Sequence, residues 1–282
     1  MSLNGVILVN KERGVSSNKV VNKVKYLLKA DKAGHLGTLD VLGEGLLPVT
    51  LGKSTKLFDY FLNKDKVYLT TFKFGETTAT LDLEGEITNK NDVVVGCEKL
   101  KEVIKTFTGK QMQMPPEYSA KKIGGRKAYE LVRNGEQVNL NPKEIEIYSI
   151  KIIDQIATNT FKMEIHCSSG TYIRSICRDI ATKLSTYGVM LDIQRTKCGC
   201  FDIKDSFTLE EIEKDNYKII KPDSLFENEA IMLEEEGSLK LLNGVDISLN
   251  KQDGEYRVYD NKNFLGLGKV NGGKLKLFLR LI

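Results

Sequence analysis

Apolar residues recur along the 282-residue chain with two different periods, and the switches between them mark out the elements. Residues 5–10 are a short apolar run that predicts a strand. Val20, Val21, Val24, Leu27 and Leu28 then recur at helical spacing behind Ser16, Ser17 and Asn18, any of which can cap a helix. Residues 54–62 predict a second helix, opened by Ser54, and residues 66–74 alternate as a strand with Tyr68, Thr70, Phe72 and Phe74 on one face. Leu100, Val103, Ile104 and Phe107 form a helical stripe, and residues 144–153 and 160–167 alternate again. Helices interleaved with hairpin-like strands predict an α+β fold whose central sheet is mixed and largely antiparallel.

Past Pro222 the texture changes. An acidic run at residues 234–236 leads into a short helix with Leu239, Leu241 and Leu242. Three short strands follow, at 256–259, 264–270 and 275–281, separated by turn-rich residues. A boundary near Leu225 therefore divides the chain into a larger domain, 1–225, and a small β-rich domain, 226–282.

Composition narrows the class. Hydrophobic residues make up 41% and charged residues 28%, ordinary for a globular protein and unlike a disordered one. No apolar run reaches the roughly 20 residues of a membrane span, and the first residues lack the pattern of a secretory leader, so the expectation is a cytoplasmic protein. Five cysteines without framework spacing fit reduced thiols. Cys198 and Cys200 form a C-x-C and His166 adjoins Cys167, but two pairs at zinc spacing are lacking, so no metal is expected. Net charge is only +4, yet residues 110–133 carry six basic side chains against Glu117 and Glu130, with Tyr118, Tyr129 and the Gly124-Gly125 pair among them. Such a segment suits a phosphate backbone and stacked bases, and equally a solvated helix face.

Two stretches carry candidate chemistry. Gly52-Lys53-Ser54 has the look of a phosphate-binding loop, but the glycine that loop needs is Leu47 here and Pro48 removes a backbone donor. The other is GHLGTLDVLGEGLLPV, residues 34–49, where Asp40 stands among glycines and leucines. Further on, Ser168-Ser169-Gly170 predicts a turn and cap opening a helix with the stripe Ile173, Ile176, Cys177, Ile180 and Leu184. Arg174 falls in its first turn, where a cation opposes the helix dipole unless an anion answers it. That anion is a phosphate, a surface Glu or Asp40, and spacing does not choose among them.

These residues together resemble the TruB family of bacterial tRNA pseudouridine synthases, through nearly the whole chain. AGHLGTLDVLGEGLLP at 33–48 resembles the family motif A-G-H-x-G-x-L-D-P-L-A-x-G-x-L-P. VNKERGVSSN resembles D-K-P-x-G-x-S-S-N, and KVYLTTFKFGETTATLDLEG resembles K-x-Y-x-x-x-x-x-G-x-x-T-x-T-x-D-x-x-G. PPEYSAKKIGGRKAYELVRNGEQV resembles the family's basic insertion, placed here at about 110–142, and CSSGTYIRSICRDI resembles C-S-x-G-T-Y-I-R-x-L-x-x-D. Val41 replaces the usual proline, Gly43 and Glu44 replace Ala and Thr, Ala79 replaces a common Asp, and Ile193-Gln194-Arg195 replaces Leu-Arg-Arg.

The resemblance implies a pseudouridine synthase fold with a PUA-like C-terminal domain, and conversion of a uridine in the tRNA T loop, at position 55, to pseudouridine. That isomerisation needs no cofactor, metal or ATP, but it needs a carboxylate in a closed pocket. By resemblance Asp40 is that group, acting at C1′ or at the 2′ position. Arg174 holds it charged where burial would raise its pKa, and Tyr68 stacks on the flipped base or accepts the C5 proton. His35, Lys11, Tyr172, Lys122 and Ile193 match substrate-binding positions. The expected partner is the T stem-loop of tRNA, bound by a monomer. The alternatives are an RNA-binding chaperone that uses the same groove without chemistry, and the same reaction on another RNA.

Overall fold

The computed structural model describes residues 3–282 apart from 63, 120, 121 and 262, with the side chains of 62, 122, 123, 127, 129 and 133 also left aside. Strands β1 (Gly5–Lys11), β2 (Ala33–His35), β3 (Glu44–Leu51), β4 (Lys66–Phe74), β5 (Glu76–Thr78), β6 (Ile87–Lys90) and β7 (Gly109–Gln113) are followed by the two-residue pair β8 (Lys122–Ile123) and β9 (Arg126–Lys127). Then come β10 (Lys143–Ala157), β11 (Thr160–Cys167), β12 (Gly188–Cys198), β13 (Phe201–Asp202) and β14 (Ile219–Ile220). The C-terminal strands are β15 (Ala230–Met232), β16 (Ile247–Ser248), β17 (Gly254–Tyr259), β18 (Phe264–Asn271) and β19 (Lys274–Arg280). The helices are α1 (Ser17–Leu27), α2 (Phe58–Leu62), α3 (Cys97–Lys105), α4 (Ala128–Arg133), α5 (Ile173–Lys183), α6 (Leu209–Glu213) and α7 (Glu235–Leu242).

Ten strands form the main sheet, whose path runs β14-β1-β3-β12-β4-β11-β10-β7, with β2 and β13 on its margins. It is mixed, as expected: β3 and β12 are parallel, and the other ladders are antiparallel. Pairing between the two halves is confined to Gln194↔Glu44 and Arg195↔Gly45. At that seam Gly45 has φ +95 and a Cβ would strike the Arg195 carbonyl, so only glycine lets the strands meet.

Three apolar clusters fill the larger part. β4, β11, β12 and the start of β10 bury Phe72, Phe161, Ile165 and Ile147 against Leu100 and Ile104 of α3 and Ile176 and Ile180 of α5. β1 is apolar from Val6 to Val9 because both its faces are covered there. Ile7 and Val9 pack on Val20, Val21 and Val24 of α1. Val6 and Leu8 face Phe201, Phe226, Leu267 and Leu281, so residues of the C-terminal strands share this cluster. The five-stranded C-terminal sheet, ordered β15-β17-β18-β19-β16, also closes its own core around Val258, Leu265 and Leu275.

Local predictions differ from the structure in three places. Residues 52–57 wind as a 3-10 helix before α2, and Ser54 is buried rather than capping. Helix α5 is capped by Tyr172 with no side-chain bond, not by Ser168 or Ser169, because Ser168 instead accepts the Glu146 N–H and anchors the turn to β10. β3 had no clear signal, since a strand buried on both faces lacks alternation, and β12 had none because its inward positions include the charged Arg195 beside Ile193. Among the described residues no helix is long and apolar enough to cross a membrane.

Candidate active site

The stretch around Asp40 is a loop between β2 and β3 whose backbone is tied on every side. Ser16 caps α1 by accepting the Lys19 N–H, which frees Ser17 for another task. The buried Ser17 hydroxyl donates to the Leu39 carbonyl at 2.8 Å and accepts the Leu39 N–H at 3.0 Å. From β12, Arg195 donates to the carbonyls of Leu46 (2.8 Å), Gly37 (3.0 Å) and Thr38 (3.3 Å) and is 1% exposed. The Val41 carbonyl accepts the Gly14 N–H at 2.8 Å and lies 3.4 Å from the Lys11 amine. A proline at 41 would keep that carbonyl, so the Val41 departure leaves these ties intact.

The Asp40 side chain alone is left to face the cleft. Its Oδ2 accepts from Arg174 at 3.0 Å, so of the three anions that spacing allowed, the fold brings Asp40 to Arg174. The same guanidinium reaches Asp82 Oδ2 at 3.1 Å and donates to the carbonyls of Thr80 (2.9 Å) and Tyr118 (3.2 Å). Asp82 is itself buried, with its other oxygen held by the Thr80 hydroxyl and the Glu84 N–H. Leu81 beside it has φ +63, a strained backbone for a branched residue, at the turn that aims Asp82. Sequence reading passed over Asp82; the only trace was its place in the TLDLEG match.

The acid is less secluded than expected. The Asp40 side chain is 53% exposed whereas those of Arg174 and Asp82 are 8% and 6% exposed, so it is the buried arginine, not the carboxylate, that is dry. Substrate itself would have to complete the closure.

A pocket of about 480 Å³ opens over this pair, lined among others by Asp40, Tyr68, Tyr172, Ile193, Lys66 and Lys143. Alternation on β4 buries Tyr68 on the same face as Thr70, Phe72 and Phe74, and burial pushes its phenol up, with Arg195 opposing. Burial also pushes up the Tyr172 phenol and lowers the Lys66 amine, which donates to the Lys64 carbonyl at 2.5 Å. Gln113, at the end of β7, clamps Tyr172 from both directions, accepting its N–H at 2.8 Å and donating to its carbonyl at 3.1 Å. That clamp fixes the residue that opens α5 and so the turn that carries Arg174.

The remaining predicted residues are placed differently. Lys11 is fully buried and stands outside the pocket lining, its amine directed to the carbonyls of Glu12, Val15 and Val41. Burial lowers its pKa to about 8. His35 is also outside the lining; its Nδ1 is buried without a hydrogen-bond partner, and burial lowers its pKa. Lys122 lies on β8 and its side chain is outside the described residues. Two of the departures meet: Glu44 and Gln194 are register partners across the seam, their side chains 3.5 Å apart. Cys198 turns its thiol to the Leu36 carbonyl while Cys200 is exposed, and among the described residues no three His, Cys, Asp or Glu side chains gather as metal ligands.

Comparison with known proteins bears on this geometry. Residues 25–173 match the model of the TruB family pseudouridylate synthase N-terminal domain. Residues 174–227 match the tRNA pseudouridylate synthase B C-terminal domain, and residues 230–276 match the C-terminal region of pseudouridine synthase II TruB. The chain is 38% identical over 280 residues to the tRNA pseudouridine synthase B of Caldanaerobacter subterraneus subsp. tengcongensis, covering 98% of each. It is 37% identical to that of Francisella philomiragia subsp. philomiragia, covering 98% of this chain and 94% of the relative. Among solved structures, a chain of a Cbf5-Nop10-Gar1 complex superposes with TM-score 0.71 at 21% identity, covering 99% of this chain and 85% of that one. A chain of an H/ACA RNP bound to a substrate RNA containing 2′-deoxyuridine gives 0.70 at 20%, again over 99% and 85%. At such identities the likeness is one of fold.

Proposed function

The chain belongs to the TruB family of pseudouridine synthases, and from that premise we propose that it isomerises a uridine in the T loop of tRNA, at position 55. The observation that carries this reading is the Asp40–Arg174 contact at 3.0 Å on the floor of a pocket walled by Tyr68. The N1–C1′ bond breaks, uracil turns, C5 bonds to C1′, and the proton lost from C5 is balanced by one gained at N1. Asp40 acts at the ribose, as nucleophile at C1′ or as base at the 2′ position. Arg174 holds its orientation as substrate closes over it, anchored from behind by Asp82.

A uridine within a folded loop must be flipped out to reach this pocket. Tyr68 supplies the flat face on which it stacks, with Tyr172 and Ile193 as further walls. Burial holds the Tyr68 phenol protonated, which favours stacking over proton acceptance in the free enzyme. His35 and Lys11 act by shaping the loop under Asp40. The basic insertion at about 110–142, with Lys122, and the unit at 226–282 extend the grip along the RNA, bound by one copy of the chain.

The test is incubation of the purified protein, without cofactor or divalent metal, with unmodified tRNA transcript carrying C5-tritiated uridine. Tritium release with a new pseudouridine mapped to the T loop is expected. Binding without release would leave the chaperone reading standing, and release with the pseudouridine elsewhere would move the substrate.

A further inference from the structure

We propose that Lys143 binds a phosphodiester flanking the extruded uridine, fixing the nucleotide over Asp40; the inference rests on the uridine-isomerase reading above. Four cationic residues line the pocket, Lys66, Lys143, Arg174 and Arg195. Three have donors committed to the protein. Arg174 bridges Asp40 and Asp82, Arg195 holds three carbonyls of the loop, and Lys66 donates to the Lys64 carbonyl. Lys143, among the described residues, makes no hydrogen bond or ion pair, and it is exposed at the rim.

Its position follows from the strand that carries it. Alternation on β10 puts Lys143 on the same face as Ile145 and Ile147, which are buried in the core, while Glu144 faces Lys110 on β7. Lys143 is the first residue of that face to emerge, and it emerges at the pocket. The amine lies across Gly170, where a Cβ would collide with it, and Gly170 has φ +78. The positive φ is what favours glycine at 170, and the amine over it is the flexible end of the lysine side chain.

A polyanion approaching this rim meets one carboxylate, Asp40, already answered by Arg174. An uncommitted ammonium beside it is the group available for a phosphate oxygen, and its long stem lets it follow the backbone as the base enters. Three lysines elsewhere on the sheet, Lys73, Lys110 and Lys151, are by contrast ion-paired to Glu76, Glu144 and Glu164.

The experiment uses the full-length protein and a T stem-loop RNA in which one phosphodiester on either side of the target uridine is replaced by a neutral methylphosphonate. The wild type should bind one of the two modified RNAs about three- to tenfold more weakly than the unmodified RNA. Lys143→Met should bind the unmodified RNA about that much more weakly and be indifferent to the methylphosphonate. Its slope of log affinity against log salt should fall by roughly 0.7 to 0.9, the value for one lost phosphate contact. Lys143→Arg should restore the discrimination, and Lys151→Met should behave as the wild type. An equal methylphosphonate penalty in wild type and Lys143→Met, or an unchanged salt slope, overturns the assignment. Tritium release by the wild type from the unmodified RNA is read alongside: its failure would count against the isomerase, whereas the methylphosphonate comparison judges Lys143 by binding alone.

Discussion

Two buried arginines line the pocket and do different things with the same chemistry. Arg174, on α5, directs its fork to two carboxylates, one buried at Asp82 and one open to the cleft at Asp40. Arg195, on β12, directs its fork to the carbonyls of Gly37, Thr38 and Leu46. The first joins the two carboxylates at the floor, and the second sets the shape of the loop. Asp40 can be half-exposed and still well placed because the backbone beneath it is held by Arg195, Ser17 and Gly14 rather than by packing of its own side chain.

The contrast breaks most sharply at the carboxylate that the Arg174 side presents. Asp40→Asn is expected to reduce turnover on the order of 10⁴-fold or more while leaving tRNA affinity within a few-fold, measured by single-turnover tritium release and filter binding. Retained activity would remove Asp40 from the chemistry. Arg174→Lys comes next, with a loss on the order of a hundredfold, since one ammonium cannot span both carboxylates; full activity in that variant would sink the argument from the forked pair.

On the other side the expected damage is to stability. Arg195→Met leaves three buried carbonyls without this donor, and at about 1 to 3 kcal/mol per unsatisfied group a loss of at least about 3 kcal/mol is expected in denaturant unfolding. If Arg195→Met unfolds like the wild type but is inactive, Arg195 is a group of the chemistry rather than of the scaffold.

The smallest effect concerns Lys11. Burial lowers its folded pKa to about 8, from the 10.5 of a free lysine. Between those values the unfolded chain binds more protons, so this group's contribution to stability rises with pH across the window and is least favourable below it. The difference in unfolding free energy between wild type and Lys11→Met should therefore shift in favour of the wild type from pH 8 to 10. A flat difference would show that the amine is not desolvated.

Legibility was uneven for physical reasons. The strand of Tyr68 was plain because one face is buried and the alternation survives, and the stripe of α5 was plain because its other face is wet. β3 was not, because burial on both faces erases the period by which strands are found, and β12 was not, because the charged Arg195 occupies one of its buried positions. Asp40 stood out as a carboxylate among glycines and leucines. Asp82, Gln113 and Lys143 did not, since a buried acid, a buried amide and a surface lysine read alike until their neighbours are known.

The sequence by itself determined the family and the mixed, largely antiparallel α+β class, and it singled out Asp40, Tyr68 and Arg174 as candidates. Those depend on residue identity and on local periodicity, which the linear chain carries. Only the tertiary structure decided which anion meets Arg174, that a second carboxylate stands behind it, and that Arg195 rather than Arg174 holds the loop. Asp40 and Arg174 are 134 residues apart, Ser17 and Leu39 are 22 apart, and Arg195 and Gly37 are 158 apart. Contacts at such separations are set by how the two halves of the sheet meet at Gly45 and Arg195, a packing event that no local period encodes.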